Sequence, residues 1–361
     1  MRIVVIGTRG IPNILGGVET HCEELYPRIA ALGHDVTIIR RTPYIEDNNR
    51  ISEYRGVKLI DVYAPRKKSI EAIIHTFLAI IKAKKLKPDV LHVHAIGPAI
   101  MIPFARLLGL KVVMTNHGPD YDRQKWGKLA KTVLKTGERL GTKFSNQVIV
   151  ISTVIANILK SNYGRENTHL IYNGVNIPCK STSTDYIESL GIIPGKYILA
   201  IGRFVKEKGF HDLIEAYGKL KHRGFQLVIA GDADHEDDYS MQLKKQARDA
   251  GVILTGFIKG ERLNQVMSNA ALFALPSYHE GLPIALLEAM SYNLDVVVSN
   301  IPSTNLSCLE TSDFYKVGDS DELASLIERK LENLATPRQY NLADYDWDKI
   351  APQTVEVYKL M

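Results

Sequence analysis

The stretch YHEGLPIALLEAM, Tyr278 to Met290, sets Glu280 just before a Gly-Leu-Pro turn and Glu288 inside the apolar run that follows. Pro283 fixes φ near the helical value and suits a first helical turn, so a helix is expected from about Leu282 or Pro283. Such a start leaves unpaired backbone N–H groups and the positive end of the helix dipole at Gly281 and Leu282, an arrangement that attracts anions. Ile284, Ala285, Leu287 and Ala289 make the helix largely apolar, which should also bury much of Glu288. Carboxylates on either side of an anion site fit a ligand with phosphate between polyols, and a nucleotide sugar has that layout. The plainer alternative leaves Glu280 interacting with the helix start and Glu288 as an ordinary paired helix carboxylate.

Three other loops carry candidate chemistry. In YILAIGRFVKEKGF, Arg203 and Lys208 stand between a strand and a helix expected near Gly209. Both could converge on one diphosphate, Arg203 as a planar fork and Lys208 as a point charge, although solvated charge is the common fate of such residues. In GTRGIPNILGGVET, Gly16 and Gly17 precede a helix that carries Glu19 in its first turn. Glycines let a ligand approach the backbone and the helix start favours phosphate, while Glu19 could simply cap the helix. The spacing is not GxGxxG, which argues against a nicotinamide dehydrogenase. In KVVMTNHGPDYDRQKWG, His117 ends a strand and Asp120 follows closely. A histidine there could bind a sugar hydroxyl or act as a base. His92 and His94 share one strand face and could join His117 around a metal, but no carboxylate stands at matching spacing, so packing is the expected role. GDADHEDD, Gly231 to Asp238, lacks a regular calcium-ligand pattern and is expected to be an exposed acidic turn.

The elements that must position these loops alternate along the chain. RIVVIG, DVTIIR, DVLHVH, KVVMTNH and NQVIVIS are strand patterns separated by helical segments, and the alternation restarts with YILAIG, QLVIAGD, VILTGF, ALFALPS and DVVVSN. Two α/β domains are expected, joined near Ile171 to Asp185, and their loops beyond the strand ends carry the most functional weight. A length of 361 residues, 45% hydrophobic and 24% charged, suits two soluble domains. Cys22, Cys179 and Cys308 are odd in number and widely spaced, which excludes a fully paired disulfide framework and fits a reducing compartment. The opening MRIVVIG has no signal-peptide pattern and no run is long and apolar enough to span a membrane, so a cytoplasmic location is expected.

The net charge of +5 is unevenly spread: Met1 to Leu170 holds 26 Lys and Arg against 14 Asp and Glu, and the remainder 19 against 26. Seven Lys and Arg flank an apolar centre between Arg66 and Lys87. Lys125, Lys128, Lys131, Lys135 and Arg139 recur at three or four and form one basic face if Arg123 to Thr142 is helical. Such a face would attract an anionic lipid surface or a lipid diphosphate, or would be plainly solvated. Sparse aromatic interleaving argues against single-stranded nucleic acid.

GGVE at Gly16 to Glu19, GRFVKEKG at Gly202 to Gly209, and Glu280 and Glu288 in an E-x7-E arrangement together resemble the retaining glycosyltransferases of family 4, of the GT-B fold. NHGPDYDRQKWG and IAGDADHEDDYSMQLKK are similar to bacterial surface-polysaccharide enzymes, rhamnosyltransferase-like members among them. The resemblance implies an α/β protein of two Rossmann-like domains facing each other across a cleft. Residues 1–172 would form the acceptor side, 173–339 would bind the nucleotide sugar, and 340–361 would be a helix crossing back to the first domain. It further implies that Arg203 and Lys208 hold the donor diphosphate, that Glu280 with the backbone of Gly281 and Leu282 holds the transferred sugar, and that Glu288 binds the ribose. Gly16 and Gly17 would approach donor phosphate or acceptor, and His117 would meet the sugar near its C6 hydroxyl. Many relatives carry His-Asp where this chain has His117-Gly118, with Asp120 two residues later. Glu19, Asp120, Lys125, Lys128, Lys131 and Lys135 would face the acceptor or membrane. The expected activity is sugar transfer from a nucleotide sugar to a glycan or lipid-linked saccharide in O-antigen, capsule or exopolysaccharide synthesis, peripheral on the inner membrane face, with no metal or other cofactor. A nucleotide-sugar epimerase and a non-catalytic sugar-nucleotide or lipid-binding protein are the rival readings.

Overall fold

The computed structural model describes residues 1–66, 70–119, 121, 127–220, 224–233, 236–334 and 338–361. They divide into two units, Met1–Gly174 with Asp344–Met361, and Val175–Ala343. These divisions fall slightly after the expected ones, and side-chain contacts explain both shifts. Asn173 is buried in the first unit with its Oδ1 2.9 Å from His21 Nδ1, and a Cβ added to Gly174 would lie 2.4 Å from the Trp347 ring. Arg338 and Tyr340 stay with the second unit, Arg338 on Asp313 and Asp295, and Tyr340 donating to the Leu294 carbonyl at 2.9 Å. The returning helix is Trp347–Lys359, shorter than the expected 340–361.

The first unit contains strands β1 (Arg2–Ile6), β2 (Asp35–Arg41), β3 (Glu53–Tyr54), β4 (Val57–Val62), β5 (Val90–His94), β6 (Val112–Asn116), β7 (Gln147–Val150) and β8 (His169–Leu170). Their order is β3-β4-β2-β1-β5-β6-β7-β8, parallel except for the antiparallel β3–β4 edge. Alternation sends successive side chains to opposite faces. Ile3, Val5, Val36, Ile38 and Val90 pack beneath helices Gly17–Ala31 and Trp347–Lys359, whereas Val4, Ile6, Ile39, Leu91 and Met114 pack beneath Glu71–Leu86 and the segment from Ile96. The strand order reverses between β1 and β5. There Gly7, at φ +98°, brings the β1 exit so close to β5 that a Cβ would lie 2.2 Å from the His94 carbonyl oxygen.

The second unit contains β9 (Tyr197–Ile201), β10 (Gln226–Ala230), β11 (Ile253–Gly256), β12 (Leu272–Leu275), β13 (Asp295–Ser299) and β14 (Phe314–Tyr315), in the parallel order β11-β10-β9-β12-β13-β14. Continuous apolar runs such as LVIA and VVV suit strands covered on both faces. The order reverses between β9 and β12, and in such sheets ligands bind where loops leave the strand ends at that reversal.

Candidate active site

The β9 and β12 exits carry the residues singled out in the second unit. Arg203 and Lys208 follow β9, and Glu280, Gly281 and Leu282 follow β12. Gly209 joins the two loops. At φ +66° it closes the three-residue turn Lys206–Lys208 and begins helix Phe210–Lys219, and a Cβ there would lie 1.9 Å from the Pro276 carbonyl oxygen. The Tyr278 N–H donates to the Glu207 carbonyl at 2.8 Å, sewing the loops together. Across this seam Lys208 Nζ donates to Glu280 Oε1 at 2.6 Å, with side chains only 19% and 10% exposed. Ser277 Oγ donates to the same oxygen at 2.6 Å, and Ser299 Oγ holds the Ser277 carbonyl at 2.5 Å. Lys208 therefore sits directly on Glu280, so the diphosphate and sugar functions implied for them lie within one hydrogen bond. Arg203 is half-buried on the same loop.

Pro283 lies just outside its helix rather than in the first turn. Its ψ of 105° is extended, and helix Ile284–Ser291 begins one residue later. Its carbonyl still receives the Leu286 and Leu287 N–H groups, so the missing proline N–H leaves no bond unmade. Gly281 is half-buried and Leu282 buried beside this helix start. Glu288 is half-buried, less than its apolar neighbours suggested, and its carboxylate lies near the Tyr292 phenol. Burial first, and then the Glu288 charge, push that phenol up to about 12.

In the first unit Gly16, at φ +149°, precedes helix Gly17–Ala31, and a Cβ on Gly16 would meet Glu19 Oε2 at 2.0 Å while one on Gly17 would meet nothing within 4 Å. Glu19 does not cap the helix. It is buried, and its Oε1 accepts from Thr8 Oγ1 at 3.1 Å and from the Arg9 N–H at 2.9 Å, pinning the β1 exit. Asp120 and Lys125 lie outside the described residues. Lys128, Lys131 and Lys135 occupy helix Lys128–Phe144, whose opposite face fits the fold so tightly that a Cβ on Gly137 would lie 2.1 Å from the Ile96 carbonyl oxygen. Lys128 and Lys135 are exposed, Lys131 is half-buried, and Lys135 Nζ lies 5.1 Å from the Tyr121 ring centroid. The helix starts later than Arg123, with residues 122–126 outside the described set.

His117, half-buried after β6, bonds through Nε2 to His94 Nδ1 at 2.9 Å. His94 lies in a buried group that includes His92, Tyr26 and Tyr358. His21 packs edge-on against His117 with ring centroids 5.0 Å apart. Burial lowers His21 to about 4 against its Asn173 hydrogen bond, and lowers His92 to about 3. Burial and then neighbouring histidines hold His94 and His117 well below the ordinary imidazole value, so all four rings are neutral at neutral pH. Among the described residues, nitrogens of His21, His94 and His117 lie within 4.8 Å of one another and could contribute to a metal set, with His21 in the place sequence spacing suggested for His92. Sequence reasoning passed over His21, Tyr26 and Glu138. Glu138 is fully buried and accepts from Asn116 Nδ2 at 3.0 Å, Tyr121 OH at 3.0 Å and Tyr163 OH at 2.9 Å. The available signal was helical spacing: His21 and Tyr26 follow Glu19 on the same amphipathic helix.

Residues 15–177 match the model for Glycosyltransferase Family 4, and residues 184–346 match the model for glycosyl transferases group 1. Together they mark the chain as a family 4-like glycosyltransferase. This glycosyltransferase is 28% identical to an uncharacterized glycosyltransferase of Methanocaldococcus jannaschii over 100% of its own length and 98% of the relative's. It is 26% identical to a glycogen synthase of Mycobacterium tuberculosis, covering 99% and 94% of the two chains. A 29% match to O-antigen chain mannosyltransferase B of Escherichia coli spans 46% of each chain. Among solved structures, HepE from Anabaena, in complex with UDP and glucose, superposes with a TM-score of 0.79 at 20% identity over 100% of both chains. The glycosyltransferase has the GT-B fold, a pair of Rossmann-like α/β units, and is a transferase. Among the described residues no helix is long and apolar enough to cross a membrane.

Proposed function

We propose that this enzyme transfers a sugar, with retention of anomeric configuration, from a nucleotide-sugar donor to a glycan or lipid-diphosphate-linked saccharide in surface polysaccharide synthesis. The carrying observation is the 2.6 Å Lys208–Glu280 contact at the β9/β12 reversal, with Arg203 on one loop and a helix start on the other. Arg203 and Lys208 hold the donor diphosphate, Glu280 and the backbone of Gly281 and Leu282 hold the sugar, and Glu288 takes the ribose hydroxyls. On the first unit, His117 meets a sugar hydroxyl and Gly16 and Gly17 approach phosphate or acceptor. The UDP and glucose bound to HepE support the donor class, and the O-antigen mannosyltransferase supports the product class. Family membership favours transfer over epimerisation or binding alone.

In the proposed step the acceptor oxygen forms its bond to the anomeric carbon on the face from which the diphosphate departs. The leaving oxygen takes the acceptor proton, so no protein nucleophile is needed. Arg203 and Lys208 offset charge on the leaving group, an effect worth roughly several kcal/mol in a dry site. They fill the role a metal would otherwise take. The basic face of Lys128, Lys131 and Lys135, together with Lys125, is proposed to meet an anionic membrane or lipid diphosphate, placing the enzyme peripherally on the membrane's inner face.

The test is thermal stabilisation by UDP, GDP, dTDP and their sugars without metal, repeated on Glu288→Ala and Arg203→Ala. One nucleotide should raise the melting temperature of the wild type and lose that effect in both variants, which also names the donor base. A folded protein stabilised by none of them would overturn the donor assignment, and an inverted linkage in the product would overturn the mechanism.

A further inference from the structure

The half-buried His117 is the end of a buried chain of hydrogen bonds. Thr115 Oγ1 lies 2.7 Å from His92 Nε2, and His92 Nδ1 lies 2.8 Å from the Tyr26 hydroxyl and 2.7 Å from that of Tyr358. The Tyr26 hydroxyl continues to His94 Nε2 at 2.5 Å, and His94 Nδ1 to His117 Nε2 at 2.9 Å. The fold builds this line by strand alternation: His92 and His94 share the β5 face turned toward Tyr26 and Tyr358, and Thr115 shares the β6 face that leads to His117.

A neutral imidazole donates from one nitrogen and accepts at the other, and each hydroxyl can do both. The chain therefore has two complete arrangements. In one, Thr115 donates to His92, His92 to Tyr26, Tyr26 to His94 and His94 Nδ1–H to His117 Nε2, which leaves the His117 proton on Nδ1. In the other every bond reverses, His117 Nε2–H donates to His94, and Nδ1 carries a lone pair. No charge is created by passing from one to the other.

Packing alone does not account for these groups. Burying imidazoles and hydroxyls costs free energy unless each is hydrogen-bonded, and apolar side chains would fill the same volume without that condition. A metal accounts for the geometry less well. The 2.9 Å between His94 Nδ1 and His117 Nε2 is a hydrogen-bond length. Two nitrogens on one tetrahedral zinc stand about 3.3 Å apart.

We propose that Thr115, His92, Tyr26 and His94 are positioning residues for His117, setting which of its nitrogens carries the proton, so that Nδ1 offers either a hydrogen or a lone pair to a substrate hydroxyl. The inference rests on the reading that His117 meets the donor sugar. Among the described residues, the other titratable groups facing the chain are His21, held through Nδ1 by Asn173, and the Cys22 thiol and Tyr358 phenol, which burial keeps protonated.

The test is nitrogen NMR of the full chain with labelled histidine, with and without the donor sugar-nucleotide identified by thermal stabilisation. Wild type should show coupling through the His94–His117 hydrogen bond, neutral rings from about pH 5.5 to 8, and a change in the His117 tautomer ratio when the donor sugar binds. Tyr26→Phe and Thr115→Val, which keep shape and remove one hydroxyl each, should shift that ratio. They should also lower kcat by about tenfold while leaving the Kd of the free nucleoside diphosphate unchanged. Absence of the coupling in wild type overturns the proposal without reference to any variant. If His117→Ala impairs transfer but both conservative variants keep wild-type tautomers and rate, the chain is structural and the proposal fails. If His117→Ala transfers sugar as wild type does, the reading of His117 itself fails and takes the proposal with it.

Discussion

At the scale of single residues, the Lys208–Glu280 contact pairs two nearly buried charges where the strand order of the second unit reverses. Replacing Lys208 by Met keeps the stem and deletes the cation, leaving Glu280 with one donor fewer beside Ser277. The expected outcome is a loss of stability of about 1–3 kcal/mol in urea unfolding, with kcat for transfer reduced at least about a hundredfold. Undiminished transfer would remove Lys208 from the reaction. The positions of Arg203, Lys208, Glu280 and Glu288 in the fold were legible in the sequence because each stands close to a strand exit or helix start that local patterning reveals. The His117 environment was not. His21 and Tyr26, His92 and His94, and Tyr358 come from three distant segments and meet only through the sheet. Glu19 shows the limit of local rules in another way: its first-turn position suggested a cap, but the β1 exit supplies two donors that draw it inward.

At the scale of elements, short apolar runs made most of the strands legible, and their alternation with helices implied parallel sheets. The strand VKLIDV, now β4, escaped because its central lysine and aspartate interrupt the apolar pattern. The helix Lys128–Phe144 was foreseen from charges recurring at three and four, and its two glycines proved equally telling, since they let one face press against Ile96 and Met114 while the lysines face outward. If that outward face contacts anionic lipid at about 1 kcal/mol per charge, changing Lys128, Lys131 and Lys135 together to Glu should weaken vesicle binding at least about a hundredfold. Sedimentation with phosphatidylglycerol vesicles at two salt concentrations would measure it. Binding equal to wild type would assign the face to solvent.

At the scale of the whole molecule, the neutral histidines tie stability to pH. In the unfolded chain an imidazole titrates near 6.5, whereas in the fold His21 is lowered to about 4 and His92 to about 3. Above 6.5 neither state binds these protons, and the contribution is fully present. As pH falls below 6.5 the unfolded chain takes up protons that the fold refuses, so stability should decline steadily toward pH 4. Melting temperatures from pH 7.5 down to 4.5 would record the decline, which should be shallower in His92→Gln if that variant folds. A flat profile would mean that water reaches the rings.

The return of the last helix has a consequence of its own. Because Asp344–Met361 rejoins Met1–Gly174, the second unit is threaded into the first as an insertion, tethered at both ends. The final helix supplies Trp347 and Tyr358 to the interior of the first unit, and Tyr358 reaches His92 across 266 positions of sequence. A frameshift or nick near residue 343 would therefore strike first at the histidines of the opening half, far along the chain from the break. The first unit's core is thus closed by residues that lie beyond the whole of the second unit in the chain, and it is complete only once Trp347–Lys359 has packed into it.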